Sequence, residues 1–328
     1  MAINNRRIKV AVIGAGNMGK NHIRTYNSIN EVELLAISDI DPETKNLASE
    51  FDINFYTNYI EMLDIEKPDA VSIVVPTPLH FEFAKNVISR GIHLMLEKPI
   101  ASTVEESDEL ISAAKEANII FSIGHVEHYN PMIQKLKKLV DDKEVGEISS
   151  IVIKRVGGFP GVEPKTNVIV DLAVHDIEII NYLLGQKPLE ISSHGSKTIH
   201  STEVDSAEIL MKYKGASGFI QANWITPVKI RTIAVTGSEG YIEGNYISQE
   251  ITYYKHAIKP INDSFKNFVN ALADNDRYTI SSTLKEPLKI ELYTFIQAIY
   301  ENDTSDDNGL VKATDARDAL KIALEALQ

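Results

Sequence analysis

The run from Ile8 to Ile13 is almost wholly β-branched or apolar, broken only by Lys9, and Gly14-Ala15-Gly16-Asn17-Met18-Gly19 follows it directly. No other stretch limits the fold as much. A strand buried on both faces reads as a near-continuous apolar run rather than as alternation. The spacing G-x-G-x-x-G carries meaning when it closes such a strand and opens a helix, as the pattern from about Met18 to Ser28 does here. Gly14 permits the tight turn, Gly16 lets a pyrophosphate approach the backbone, and Gly19 lets the helix pack closely on the strand. The first helical N–H groups, around Asn17 and Met18, add donors and the positive end of the helix dipole.

Asp39 lies 20 residues beyond Gly19, at the end of the second predicted strand, Glu33–Ser38. A carboxylate there accepts hydrogen bonds from ribose hydroxyls and repels a 2′-phosphate. Ile40, Asp41 and Pro42 follow with no arginine, so the expected cofactor is NAD, with NADP disfavoured. Strand and helix patterns keep alternating: a helix over about Asp41–Phe51, a strand over Ala70–Val75, a helix from about His80 to Arg90 that stops at Gly91, a strand over His93–Glu97, a helix capped by Thr103 with Glu106 completing a capping box, and a strand over Ile119–Ile123. Units of about 25–30 residues imply a parallel sheet with right-handed crossovers.

The pattern changes near Gly124. Ile148–Val156, Glu190–Gly195, Glu208–Tyr213, Ser217–Trp224 and Lys229–Thr236 read as strands joined by turns, which predicts an open, mainly antiparallel sheet. The chain is therefore α/β, with a dinucleotide-binding domain over 1–124 and a second domain over 125–328. Helices are expected over Val170–Leu184, Asp263–Ala273, Pro287–Tyr300 and from about Thr314. The acidic loop holding Asp303, Asp306 and Asp307 does not have calcium-loop spacing and reads as solvated.

Two clusters carry chemistry. Glu97-Lys98-Pro99 ends a buried strand, at the sheet edge where ligands bind in such folds, and an amine there can hold a substrate hydroxyl near a nicotinamide. Asp171 and His175 are four apart on a predicted helix and share a face, and a histidine beside a carboxylate can take the proton from an alcohol as hydride leaves its carbon. No third ligand stands at suitable spacing, so no metal is expected. The chain has no cysteine, which excludes disulfides, thiolate catalysis and cysteine-ligated metals. Its 46 acidic against 33 basic residues give a net charge of −13, which argues against a nucleic-acid partner. No apolar run approaches the ~18 residues of a membrane span, and the N-terminal run is too short for a signal segment, so a cytoplasmic location without a membrane partner is expected.

The order of these motifs, GAGNMG, Asp39, Thr77-Pro78-Leu79-His80, Glu97-Lys98-Pro99 and Asp171-x-x-x-His175, resembles that of the Gfo/Idh/MocA oxidoreductases over nearly the whole chain. The resemblance implies a Rossmann domain, then a substrate-binding and oligomerisation domain whose open sheet joins subunits as dimers or tetramers. It implies a catalytic group of Lys98, Asp171 and His175, with His175 as acid/base. It also implies cofactor contacts at Pro76, Thr77, His80 and Glu97, with His80 on the nicotinamide side. Gly124-His125-Val126-Glu127-His128-Tyr129-Asn130-Pro131 and the segment from Asn223 to Arg231 resemble the UDP-N-acetylglucosamine 3-dehydrogenase branch, although His128 stands where that branch has arginine. A nucleotide-sugar brings a diphosphate, for which Lys154, Arg155, Lys229 and Arg231 are candidates. Adjacent Lys154 and Arg155 point to opposite faces of a strand, whereas Lys229 and Arg231 share one. Trp224 can stack on a uracil or sugar ring. The expected activity is hydride transfer between a sugar-ring carbinol and NAD(P), at C3 of UDP-N-acetylglucosamine. Oxidation of a free sugar or inositol, or cofactor sensing without turnover, are the alternatives.

Overall fold

The structure is a computed structural model that describes residues 6–159, 166–199, 202–255, 277–281, 284–305 and 308–328. The helix expected over Asp263–Ala273 lies outside these residues, as do Asp306 and Asp307. The chain divides into two compact units, one holding the chain up to Val126 together with Glu286–Lys321, the other Glu127–Lys285 with Ile322–Gln328.

The first unit is built on β1 (Ile8–Ile13), β2 (Val32–Ser38), β3 (Asn54–Tyr56), β4 (Ala70–Ile73), β5 (His93–Glu97) and β6 (Phe121–Gly124), in the order 3-2-1-4-5-6. Every pairing is parallel, so all six strands end on the same edge. The order reverses between β1 and β4, the switch point outside whose carboxyl ends ligands bind in open sheets of this kind. The helices are α1 (Asn17–Asn27), α2 (Lys45–Glu50), α3 (Tyr59–Glu66), α4 (His80–Ile88) and α5 (Val104–Glu116). Thr103 and Glu106 form the expected capping box at the start of α5. β3 and α3 were not expected. β3 has three residues, too few to show a period, and Asn58 caps α3 with no glycine or proline beside it to mark the boundary.

Two glycines fix the β1–α1 turn. Gly14 has φ +98°, and a Cβ there would lie 2.4 Å from the Val74 carbonyl oxygen. A Cβ on Gly19 would lie 2.1 Å from the carbonyl oxygen of Gly14 itself. Neither contact can be relieved by a side-chain rotation, because both partners are backbone.

A late segment completes this unit. α8 (Pro287–Glu301) places Leu288, Leu292, Phe295, Ile296 and Ile299 in one core cluster with Val10, Val12, Ile23 and Tyr26. Chain order alone assigned 286–321 to the second domain; the apolar stripe of α8 packs with β1 and α1 instead.

The second unit carries an eight-stranded sheet in the order 14-13-12-11-7-10-9-8. Its strands are β7 (Ile148–Val156), β8 (Glu190–Ser196), β9 (Ser206–Lys212), β10 (Ser217–Asn223), β11 (Ile230–Gly237), β12 (Gly240–Asn245), β13 (Glu250–Lys255) and β14 (Arg277–Ser281). All neighbours are antiparallel except β7 and β10. One face is buried through Ile151, Ile153, Ile209, Met211, Ile220, Ile233 and Val235, and α7 (Val174–Leu184) adds Ile179, Ile180 and Leu183 to that core. Gly218 leaves the room for this, since a Cβ there would lie 3.1 Å from Ile180. On the opposite face, Val152 and Leu210 are exposed. α6 (Pro131–Asp141) packs on β12 and β13, and α9 (Ala313–Glu325) is the last helix among the described residues. Among the described residues no helix is long and apolar enough to cross a membrane.

Candidate active site

In the first unit, the sequence-predicted cofactor residues gather on the carboxyl edge of the parallel sheet. Gly16 takes the N-cap position of α1, where it has no side chain to close the first turn, and a Cβ there would meet nothing within 4 Å. This leaves open space before the helix N-terminus, the geometry an anionic pyrophosphate requires. Asp39 follows the end of β2. Its Oδ2 accepts the Ala15 N–H at 2.6 Å and its Oδ1 the Asp41 N–H at 2.9 Å, so the same carboxylate that can meet a ribose also ties down the glycine turn. The glycine turn, Asp39 and the sheet's switch point together fit a dinucleotide.

Pro76 and Thr77 lie just beyond β4, where Thr77–Leu79 forms a 3-10 turn. His80 is held inside this turn. Its ring is buried, with Nδ1 2.8 Å from the Pro99 carbonyl oxygen and Nε2 2.9 Å from that of Val75. Burial pushes the imidazole pKa down, against the two carbonyls that favour its N–H groups. The ring is a brace between the end of β4 and the turn after β5. The Lys98–Pro99 peptide is cis, and Lys98 is half-buried. The Glu97 side chain also turns inward, with its carboxylate bonded to His22 and to the Lys98 N–H. Its carboxylate thus braces the turn from which Lys98 departs.

In the second unit, Asp171 lies in a π-helical turn, Ile169–Ala173, and His175 in the first turn of α7. Asn167 caps this start by accepting the N–H groups of Ile169 and Val170 at 3.1 and 3.0 Å. Wide turns of this kind recur at functional sites. His175 is buried and Asp171 half-buried.

The proposed basic cluster separates into distinct environments. Arg155 is 3% exposed, and its Nε is 2.8 Å from both Asp176 oxygens. Its Nη1 donates to Glu127 at 2.8 Å, and the guanidinium lies 5.0 Å from the centre of the Tyr246 ring. Burial alone would lower its pKa, but Asp176 and Glu127 outweigh that and hold it well above the ordinary value. This cation is committed to an internal ion cluster. Arg231 stands opposite Arg155 in the β7–β11 register, on the same sheet face. Burial and the neighbouring Arg155 charge pull its pKa down, opposed by Asp176, Glu127 and Asp171. Arg231 thus shares an electrostatic environment with Asp171. Lys229 is exposed just before β11, and Lys154 takes the opposite face of β7 from Arg155. Trp224 is buried, and its backbone N–H donates to the Asp205 carbonyl at 2.9 Å, so its ring is part of the core. His128, at the position of departure, pairs through Nδ1 with Glu178 at 2.9 Å and lies 4.1 Å from the centre of the Tyr182 ring.

The Glu127–Arg155–Asp176–Tyr246 cluster escaped sequence reasoning, since its members are scattered along the chain. His22 left a signal. It falls at helical spacing with Gly19, Ile23 and Tyr26, the stripe of α1 that is buried, so a polar ring on that stripe demands a partner.

Comparison with known proteins agrees with this architecture. Residues 8–125 match the oxidoreductase family with an NAD-binding Rossmann fold, and residues 133–243 match the GFO/IDH/MocA C-terminal domain. The chain belongs to the Gfo/Idh/MocA family and is a nicotinamide-dependent dehydrogenase. It is 26% identical over 249 residues to UDP-N-acetylglucosamine 3-dehydrogenase of Acidithiobacillus ferrooxidans, covering 75% of this chain and 77% of that one. It is 27% identical over 252 residues to scyllo-inositol 2-dehydrogenase (NAD(+)) of Bacillus subtilis, covering 72% and 73%. Among solved structures, the Acidithiobacillus enzyme superposes with a TM-score of 0.84 at 23% identity, covering 98% of this chain and 96% of that one. Levoglucosan dehydrogenase in complex with NADH and levoglucosan also gives 0.84, at 20% identity and 98% and 97% coverage.

Proposed function

We propose that the protein moves hydride between a CH–OH carbon of a sugar or polyol and NAD, and that its substrate is UDP-N-acetylglucosamine, oxidised at C3. The reading is carried by the glycine turn, Asp39 and Lys98 sharing the carboxyl edge of one parallel sheet. Gly14, Gly16, Gly19 and the start of α1 receive the pyrophosphate, and Asp39 the adenosine ribose, which favours NAD over NADP. The cofactor, when bound, supplies the hydride acceptor. Lys98 donates to the substrate hydroxyl and orients it, His175 takes or returns the hydroxyl proton, and Asp171 keeps the imidazole suited to that exchange. Arg231 and Lys229 serve the anionic part of the substrate. The dinucleotide-binding role falls to the first unit and substrate binding to the second. The exposed sheet face bearing Val152 and Leu210 joins subunits as a dimer or tetramer, and the enzyme works in the cytoplasm.

One observation favours a second reading. Arg155 is withdrawn into an internal ion cluster and His128 is paired with Glu178, which leaves fewer cations for a diphosphate and suits an uncharged inositol or free sugar. The test incubates the purified protein and NAD with a panel of nucleotide-sugars and free polyols, following NADH absorbance together with product analysis. Turnover of UDP-N-acetylglucosamine alone supports the first reading and turnover of inositols alone the second. Reduction of NAD by neither class refutes both.

A further inference from the structure

We propose that His22, three residues past the last glycine of the turn, is a positioning residue for Lys98 and acts through the Glu97 carboxylate. The proposal rests on the reading of Lys98 as the residue that holds the substrate hydroxyl. His22 lies on α1, fully buried. Its Nε2 is 3.0 Å from Glu97 Oε1. Its Nδ1 has no hydrogen-bond partner among the described residues, so Nε2 carries the hydrogen and donates. Glu97 ends β5, and its Oε2 accepts the N–H of Lys98 at 3.2 Å. One buried carboxylate is therefore gripped from two sides, by the helix that opens the cofactor turn and by the backbone from which the Lys98 side chain departs. Burial pushes this carboxyl up, but His22 and Lys98 outweigh burial and hold it below the usual range, as an ionised and strong acceptor.

The neighbouring strand is built around the same carboxylate. Gly124 on β6 stands beside Glu97 in register, and a Cβ there would lie 2.9 Å from Oε1 and 3.1 Å from Oε2. An apolar pair of similar volume would serve a core at least as well as a buried ionic contact. What it could not do is accept the Lys98 N–H and fix where that residue's backbone sits.

The full chain is tested as H22L, H22Q, G124A and K98A, with NADH binding followed by fluorescence, and kcat and KM measured on whichever panel substrate is turned over. Melting temperature and hydrogen exchange of the Lys98 amide complete the set. H22L and G124A reach the carboxylate from different elements, α1 and β6. Each is expected to lower kcat by about ten- to a hundredfold, the scale of a displaced catalytic group. NADH affinity should change little, and the Lys98 amide should exchange faster. H22Q keeps a donor at the same reach and should restore both kcat and amide protection. The proposal is overturned if kcat and amide protection survive in H22L and G124A. It is also overturned if the loss falls on NADH affinity, or follows melting temperature without rescue by glutamine. Retained kcat in K98A would instead overturn the reading of Lys98, while the amide exchange would still report whether Glu97 holds that backbone.

Discussion

Arg155→Met should unfold the second unit early and leave substrate binding intact. Arg155 is almost fully enclosed, and Asp176, its two-oxygen partner, has no exposed surface. Removing one member of such a pair strands the other charge in the interior, at a cost of about 3–5 kcal/mol. Glu127 adds less, because its side chain keeps 20% of its exposure and water can reach it. For a unit of this size each kcal/mol moves the melting temperature by about 2–4 °C, so the expected fall is about 6–20 °C. Methionine fills most of the arginine stem's volume, which keeps the packing loss small beside the electrostatic one. The double variant Arg155→Met with Asp176→Leu removes both charges and should recover most of the loss. Calorimetry of the three proteins, with kcat and KM measured well below the melting range, separates the possibilities. An unchanged melting temperature with a large rise in substrate KM would show that Arg155 serves the substrate and that the internal cluster is incidental.

His175→Ala should lower kcat by roughly 10²–10⁴-fold without unfolding the protein, and near-wild-type turnover would remove it from the proton path. Asp39→Ala should shift the ratio of kcat/KM for NAD and NADP towards NADP, and an unchanged ratio would place selectivity elsewhere. Glu291, fully buried on α8, is held well above the usual carboxylate range by burial and then by the charge of Glu97. Its contribution to stability is complete below the unfolded value of about 4.3 and is lost as pH rises towards the folded one, because the native state keeps a proton that the unfolded chain releases. Glu291→Gln should therefore stabilise the protein by an amount that grows as pH rises above about 4.3 in urea melts, and a gain independent of pH would contradict this.

Most of the architecture was legible because it rests on local rules. The β1 run and glycine turn, the Thr103–Glu106 capping box and the Gly185 stop of α7 are each written within a few residues. The parallel sheet followed from their repetition. The placement of a side chain was legible where a motif stands on a strand end, as at Lys98, and not where its partner is distant in sequence. Arg155 sits on β7, and parity alone put it on one face or the other; only its distance to Asp176, 21 residues on, shows that it faces inward to a carboxylate. The partners of His80 and Glu97 were hidden for the same reason. Their neighbours in sequence frame the crevice, while their own polar atoms meet Pro99, Val75 and His22. The short β3, with its three residues, offered no period to read.

The return of α8 to the first sheet has a consequence for how the chain is made. A ribosome delivers the glycine turn, Asp39 and Lys98 long before it delivers Leu292 and Phe295, which seal the apolar flank of β1 and α1. Until then the nascent unit has a sheet and five helices but an open side, and a sticky surface of that kind is what chaperones bind. Cutting the gene after Val126 would isolate every predicted dinucleotide contact yet leave that side uncovered for good. The cofactor-binding half of this enzyme is thus complete only once Glu286–Lys321 has been made, so synthesis of the intervening second unit precedes its first productive encounter with a nicotinamide.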